Sequence, residues 1–148
     1  IKWPNDIYYK DKKLAGILIE NSIKGSTINY AVAGIGLNLN QDQFVCNAPN
    51  PVSLKQITGK NYSVEDELIL VKQHIKKYYQ KLQSGLMSEI NLRYIESLYR
   101  FNKFYNFRWK NRVYRAKITG VNEYGHLQIL TSDNETKEFE LKEIEFLI

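Results

Sequence analysis

Cysteine, histidine and proline are scarce in this 148-residue chain, and each shortage narrows its chemistry. Cys46 is the only cysteine, which excludes an internal disulfide framework and any site built from several thiolates. Its neighbours, FVCNAP, give no sign of an activated thiolate, so it reads as a small loop or core residue. The only imidazoles, His74 and His126, stand 52 positions apart with no nearby Ser or Cys motif, so no triad is indicated and both read as packing or solvated residues. No run approaches the roughly 18 uninterrupted apolar residues of a membrane span, and no basic-then-apolar leader opens the chain. A soluble, cytoplasmic globular protein is the expectation.

What is present suffices for a core: 43% of residues are hydrophobic and 25% charged. The net charge of +5 is too mild to imply nucleic acid, but its distribution is uneven. Residues 98–122 carry seven basic side chains and no acid, whereas 123–148 carry two basic and seven acidic ones. A small barrel with oppositely charged edges accounts for that pattern.

The runs IYY, KLAGILIEN and TINYAVAGIGLNLN are β-branched or aromatic and are separated by KDK and SIKGS, which have the composition of hairpin turns. A three-stranded antiparallel meander follows. In its middle strand Leu14, Gly16 and Leu18 fall on one face and Ala15, Ile17 and Ile19 on the other, so both faces are apolar and the strand is central. SLKQITG then reads as a short helix ended by Gly59. A longer helix begins at a capping box of Ser63 with Asp66, and its Val64, Leu68, Val71, Ile75, Tyr78 and Leu82 recur at helical spacing as a packing stripe. Gly85 ends it, and another helix over about 88–99 directs Ile95 and Leu98 to the same core. From about residue 100 short strands alternate with turn signals at Lys110-Asn111, NEYG and SDNE, which suggests a small SH3-like barrel. The expected domains are residues 1–100 and 101–148, an α+β whole.

The stretch KDKKLAGILIEN raises the question of which lysine matters. Lys10 and Lys12 belong to the turn, whereas Lys13 begins a buried strand, where a cation is anchored on a rigid element. Around it Gly16, and Gly34 with Gly36 from the neighbouring strand, would let a ligand approach the backbone. These glycines are equally compatible with bulges or a close sheet-to-helix contact. In KWPND the proline fixes the chain before Asn5 and Asp6, which either line the sheet end or form an ordinary Asx turn. GIGLN lacks the G-x-G-x-x-G spacing and a following helix, so it is no dinucleotide fingerprint.

KWPNDIYYKDKKLAGILIE, then AGIGLNLN, then PVSLKQITGK closely resemble the second half of the catalytic domain of biotin protein ligases, with the C-terminal SH3-like piece fitting as well. The resemblance implies an antiparallel sheet with helices of the class II aminoacyl-tRNA synthetase type. It also implies a two-step reaction in which biotin and ATP give biotinyl-5'-AMP, whose biotin is passed to a lysine of a biotin carboxyl carrier domain of acetyl-CoA carboxylase or a related carboxylase. By resemblance Lys13 contacts the biotin carboxylate and the α-phosphate, and Gly16 presents backbone to the biotin rings; Gly36 is counted with the substrate-binding residues. Asn38 faces the nucleotide, and Asn5 and Asp6 line the meeting place of adenylate and amine. Asp6 either takes a proton there or helps to hold Mg²⁺. The family's Gly-Arg-Gly-Arg loop and the elements around it are absent. The chain opens on IKWPND without methionine, as if mid-strand, so a preceding segment is expected and the chain alone is expected to be inactive or very weak.

A homodimer paired through the central sheet is within what the resemblance implies. Nucleic acid would be a partner only if the missing N-terminus carried a helix-turn-helix. Two other readings stand beside this one: a lipoate ligase or octanoyl transferase, and a module in which the basic barrel residues and their aromatics bind nucleic acid or an acidic partner.

Overall fold

A computed structural model describes residues 1–45 and 50–148, so Cys46 lies outside the described residues. The fold is α+β, and the described residues form two compact units, Asn5–Lys77 and Ile1–Pro4 with Tyr78–Ile148.

The first unit holds the expected meander: β1 (Asp6–Tyr9), β2 (Lys12–Lys24) and β3 (Thr27–Leu37), antiparallel in the order β1-β2-β3 with β2 central. Both connections are two-residue turns, with positive φ at Lys10 and at Gly25. Because such tight turns suffice, Lys12 is already the first residue of β2 and Ser22–Lys24 extend the same strand, where KDK and SIKGS read as wholly turn. Helix α1 (Leu54–Thr58) has a capping box: Ser53 Oγ accepts from Gln56 N at 3.1 Å and Gln56 Oε1 accepts from Ser53 N at 3.1 Å. Gly59, at φ 76°, ends it as expected.

Helix α2 (Val64–Gln83) runs from the first unit into the second, and Ser63 Oγ accepts from Asp66 N at its start. Its apolar stripe is not the packed face that its spacing suggests. No residue of α2 is buried, and Val64, Leu68 and Ile75 are at least half exposed, because no element of the described chain covers them. Helical spacing specifies that a face is apolar but not what lies on it.

Helix α3 spans Met87–Glu96, ending short of the expected Tyr99; Leu98 and Ile95 then serve the core of the second unit rather than the α2 stripe. That unit carries a five-stranded antiparallel sheet in the order β7-β6-β5-β4-β8, built from β4 (Tyr105–Trp109), β5 (Arg112–Val121), β6 (Leu127–Thr131), β7 (Thr136–Phe139) and β8 (Glu145–Phe146). Alternation along β5 and β6 sends Ala116, Ile118, Leu127 and Ile129 into the core with no exposed surface. Lys110 and Asn111 both take positive φ, which the tight β4–β5 hairpin requires. Among the described residues no ladder joins β7 to β8. Rings pack within this sheet: Phe107 of β4 meets Phe146 of β8, its ladder partner, edge-on at 5.1 Å, and Trp109 of β4 meets Phe139 of β7 at 5.2 Å. Among the described residues no helix is long and apolar enough to cross a membrane.

Phe107 is fully enclosed in this cluster. Its replacement by alanine is therefore expected to lower the stability of the second unit by about 3–5 kcal/mol, read as a shift of the urea midpoint followed by tryptophan fluorescence. A shift near zero would place the core elsewhere.

Candidate functional site

In a regular strand Lys13 and Gly16 would point to opposite faces, since successive side chains alternate. The β1–β2 ladder breaks that rule. Asp6 pairs with Gly16 and Ile7 with Ala15, but Tyr8 pairs with Lys13, leaving Leu14 as an extra residue in a β-bulge. The bulge shifts the phase of β2 by one residue and turns Lys13 onto the face of Gly16 and Asp6. Lys13 Nζ then stands 2.7 Å from Asp6 Oδ1, with the two side chains 28% and 30% exposed. A Cβ added at Gly16 would lie 3.2 Å from both of those atoms, so the absence of a side chain there leaves room for the ion pair. The bulged residue is thus Leu14 and not a glycine, and nothing in its identity announces the bulge.

The backbone around Lys13 is held from the other side as well. Lys13 N donates to Asn50 O at 2.9 Å and Val52 N donates to Lys13 O at 2.9 Å, while Asn38 N donates to Leu14 O at 3.0 Å. The side chain of Asn38 donates through Nδ2 to Val52 O at 3.2 Å and to Lys13 O at 3.5 Å. It links β2 to the segment that leads into α1. Asn40 does similar work two residues on, bonding Tyr62 O and Tyr62 N at 2.7 and 2.8 Å. Both asparagines of GLNLN are therefore engaged by backbone, a role that the motif itself does not reveal.

Asn5 continues the sheet through Asn5 O, which accepts from Ile17 N at 3.0 Å. Gly36 lies directly across from Gly16, and Gly34 across from Leu18. A Cβ at Gly36 would meet Gly16 O at 3.9 Å and one at Gly34 would meet Leu18 O at 4.0 Å, ordinary contacts, so packing does not demand either glycine. Their effect is to leave the strand backbone open to approach. The structure thus brings Asp6, Lys13 and Gly16 together directly, sets Asn5 and Gly36 beside them in the ladder, and places Asn38 behind Lys13. Lys12 is exposed, as is Lys10, whose ammonium lies 5.6 Å from the Tyr9 ring. Burial, and after it the charge of Asp6, pushes the Tyr8 phenol up, so Tyr8 stays protonated beside the pair at neutral pH. Among the described residues no three His, Cys, Asp or Glu side chains gather as a metal site.

In the basic stretch the cations Lys103, Arg108, Lys110, Arg112 and Arg115 are exposed, while part of its aromatic content is drawn into the second unit. Phe107 and Trp109 are core, and Tyr114 stacks on Trp109 at 3.7 Å. The Arg100 guanidinium lies against the Tyr99 and Tyr105 rings at 4.9 and 4.3 Å and donates to Leu147 O at 2.8 Å. Arg108 pairs with Glu145 at 2.8 Å. The aromatic display on which a nucleic-acid module would depend is thereby reduced: buried rings cannot stack on bases.

Residues 1–38, which contain Asn5, Asp6, Lys13, Gly16, Gly36 and Asn38, match the model of the Biotin/lipoate A/B protein ligase family. The bifunctional ligase/repressor BirA of Bacillus subtilis is 30% identical over 142 residues, covering 90% of this chain and 42% of that protein. The chain thus spans about two fifths of the length of this relative. The apo biotin protein ligase of Aquifex aeolicus superimposes with a TM-score of 0.75 at 26% identity, over 99% of this chain and 64% of that one. The same ligase in complex with biotin and ATP gives a TM-score of 0.71 at 25% identity, over 98% and 60%.

Removing the Asn38 amide leaves the part-buried Val52 carbonyl without that donor. Asn38→Ala is expected to cost about 1–3 kcal/mol locally, seen as about 5- to 100-fold faster hydrogen exchange at the amides of Lys13 and Val52 with the second unit unaffected. Unchanged protection at both amides would mean that the clamp carries no energy.

Proposed function

We propose that this chain, which belongs to the biotin protein ligase family, contributes the Lys13 side of a site that activates biotin with ATP and passes it to a lysine of an acceptor protein. The observation that carries the reading is one ammonium, fixed by a bulge and a backbone clamp within the matched residues, with a carboxylate at 2.7 Å.

In the first step a biotin carboxylate oxygen attacks the α-phosphorus of ATP, the bond to the β-phosphate breaks, and pyrophosphate leaves. Two anions must meet, and at about 4 Å their repulsion is about 4 kcal/mol at an effective dielectric of 20. A fixed Lys13 ammonium offsets that repulsion and the charge that develops on phosphorus. In the second step the acceptor amine forms a bond to the carbonyl carbon of the mixed anhydride, the carbon–oxygen bond to phosphate breaks and AMP leaves. Asp6 is the group to which the amine proton goes, a contribution of about 10²–10⁴-fold. Gly16 and Gly36 offer open backbone to the biotin rings, Asn5 lines the approach of the amine, and Asn38 acts by holding the strand of Lys13.

Mg²⁺ is expected alongside ATP, but the one carboxylate at this site, Asp6, is already paired with Lys13, so these residues do not make a metal site and no step is assigned to the ion. The acceptor is a biotin carboxyl carrier domain of acetyl-CoA carboxylase or a related carboxylase, and the compartment is the cytoplasm. Residues 101–148 are read as a separate SH3-like domain.

The test is a streptavidin gel-shift of a carrier domain after incubation with biotin, ATP and Mg²⁺, using the 148-residue chain and the chain extended to the length of its relatives. The extended protein is expected to shift the carrier, and Lys13→Ala to reduce the rate by about 10²–10³-fold with an unchanged circular dichroism spectrum. Near-normal turnover in that variant removes Lys13 from the chemistry. Modification of the carrier with lipoate in place of biotin moves the protein to the other branch of the family.

A further inference from the structure

The Asp6–Lys13 pair is only partly buried, and an ion pair with that much solvent access adds little to stability. Stability therefore does not explain why β2 is bulged at Leu14 and left without a side chain at Gly16, the two features that allow the pair to form. An ammonium carries one charge. If it must neutralise an incoming anion, a carboxylate already at 2.7 Å competes for the same charge.

We infer that Asp6 is a built-in stand-in for the anionic substrate: it fills the anion seat on Lys13 in the free protein and is exchanged for the substrate carboxylate when biotin arrives. This rests on the ligase reading and deepens it by giving the two residues an order of action. While the pair is closed, Asp6 Oδ1 is occupied by the Lys13 ammonium at 2.7 Å. Once Lys13 turns to the substrate anion, Asp6 is released, and it is then available to accept the proton that the acceptor amine must lose. The exchange needs only a swing of the flexible end of Lys13 over the surface of Gly16, where no Cβ stands in the way. The strand itself stays in place, held by Asn50, Val52 and Asn38.

The exchange predicts a charge-dependent sign that a merely structural role for Asp6 does not. In calorimetric titrations of the chain extended to the length of its relatives, Asp6→Asn is expected to bind biotin about two- to fivefold more tightly than the parent, the range that corresponds to losing an exposed ion pair. The uncharged biotinamide, which carries the same rings, is expected to bind both proteins equally. Adding Lys13→Gln to Asp6→Asn is expected to abolish the gain. Binding of biotin that is unchanged or weakened in Asp6→Asn overturns the exchange, as does an equal gain for biotinamide or the absence of binding by either protein. The carrier gel-shift with the extended chain judges the ligase reading separately, so the two can fail independently.

Discussion

The feature on which the site depends is a break in one β-ladder. Without the extra residue Leu14 between Lys13 and Ala15, strict alternation would send Lys13 away from Asp6 and Gly16. The bulge would be a weak point if its backbone were left to water. Instead Leu14 O accepts from Asn38 N, Lys13 N donates to Asn50 O, and Lys13 O receives Val52 N. The irregular stretch is thus bonded from the side opposite β1, and a flexible lysine gains a rigid base.

The two units are stabilised by different means. The second has a conventional core in which Phe107, Ile118, Leu127 and Ile129 are fully enclosed and rings of β4 pack on Phe139 of β7 and Phe146 of β8. In the first unit only Ala15, Val52 and Ser53 are buried among the described residues, while Leu18, Ile23 and Ile28 are each more than 60% exposed on the hairpin. Apolar side chains in such numbers on a long, flat hairpin form a surface that favours cover over water.

Charge follows the same division of labour. Within the block of basic residues after Leu98, Arg100 lies against two rings and Arg108 pairs with Glu145, while the acids that follow fall on both edge strands, Glu138 on β7 and Glu145 on β8. The cation in the site is the one that a count of charges would not single out, since Lys13 is one of three lysines within four positions.

Much of the molecule could be read from the chain alone, because the signals concerned are local. Turn residues such as Gly25 and Lys110-Asn111, the capping residues Ser53 and Gly59, and the alternation in β5 and β6 act within a few residues of themselves. The KWPND, K-x-x-G and G-x-G-x-N elements likewise pointed to the family, and Asp6 and Lys13 within them stand 2.7 Å apart. Three things were decided only by tertiary structure. The bulge at Leu14 arises from how two strands register against each other; the asparagines of GLNLN become clamps only because chain segments 14 and 22 residues away arrive beside them. The apolar stripe of α2 is left open because periodicity specifies a face and not its partner. A strand register, a long-range hydrogen bond and the cover over a helix face are each set by a partner segment, which the pattern of one segment does not encode.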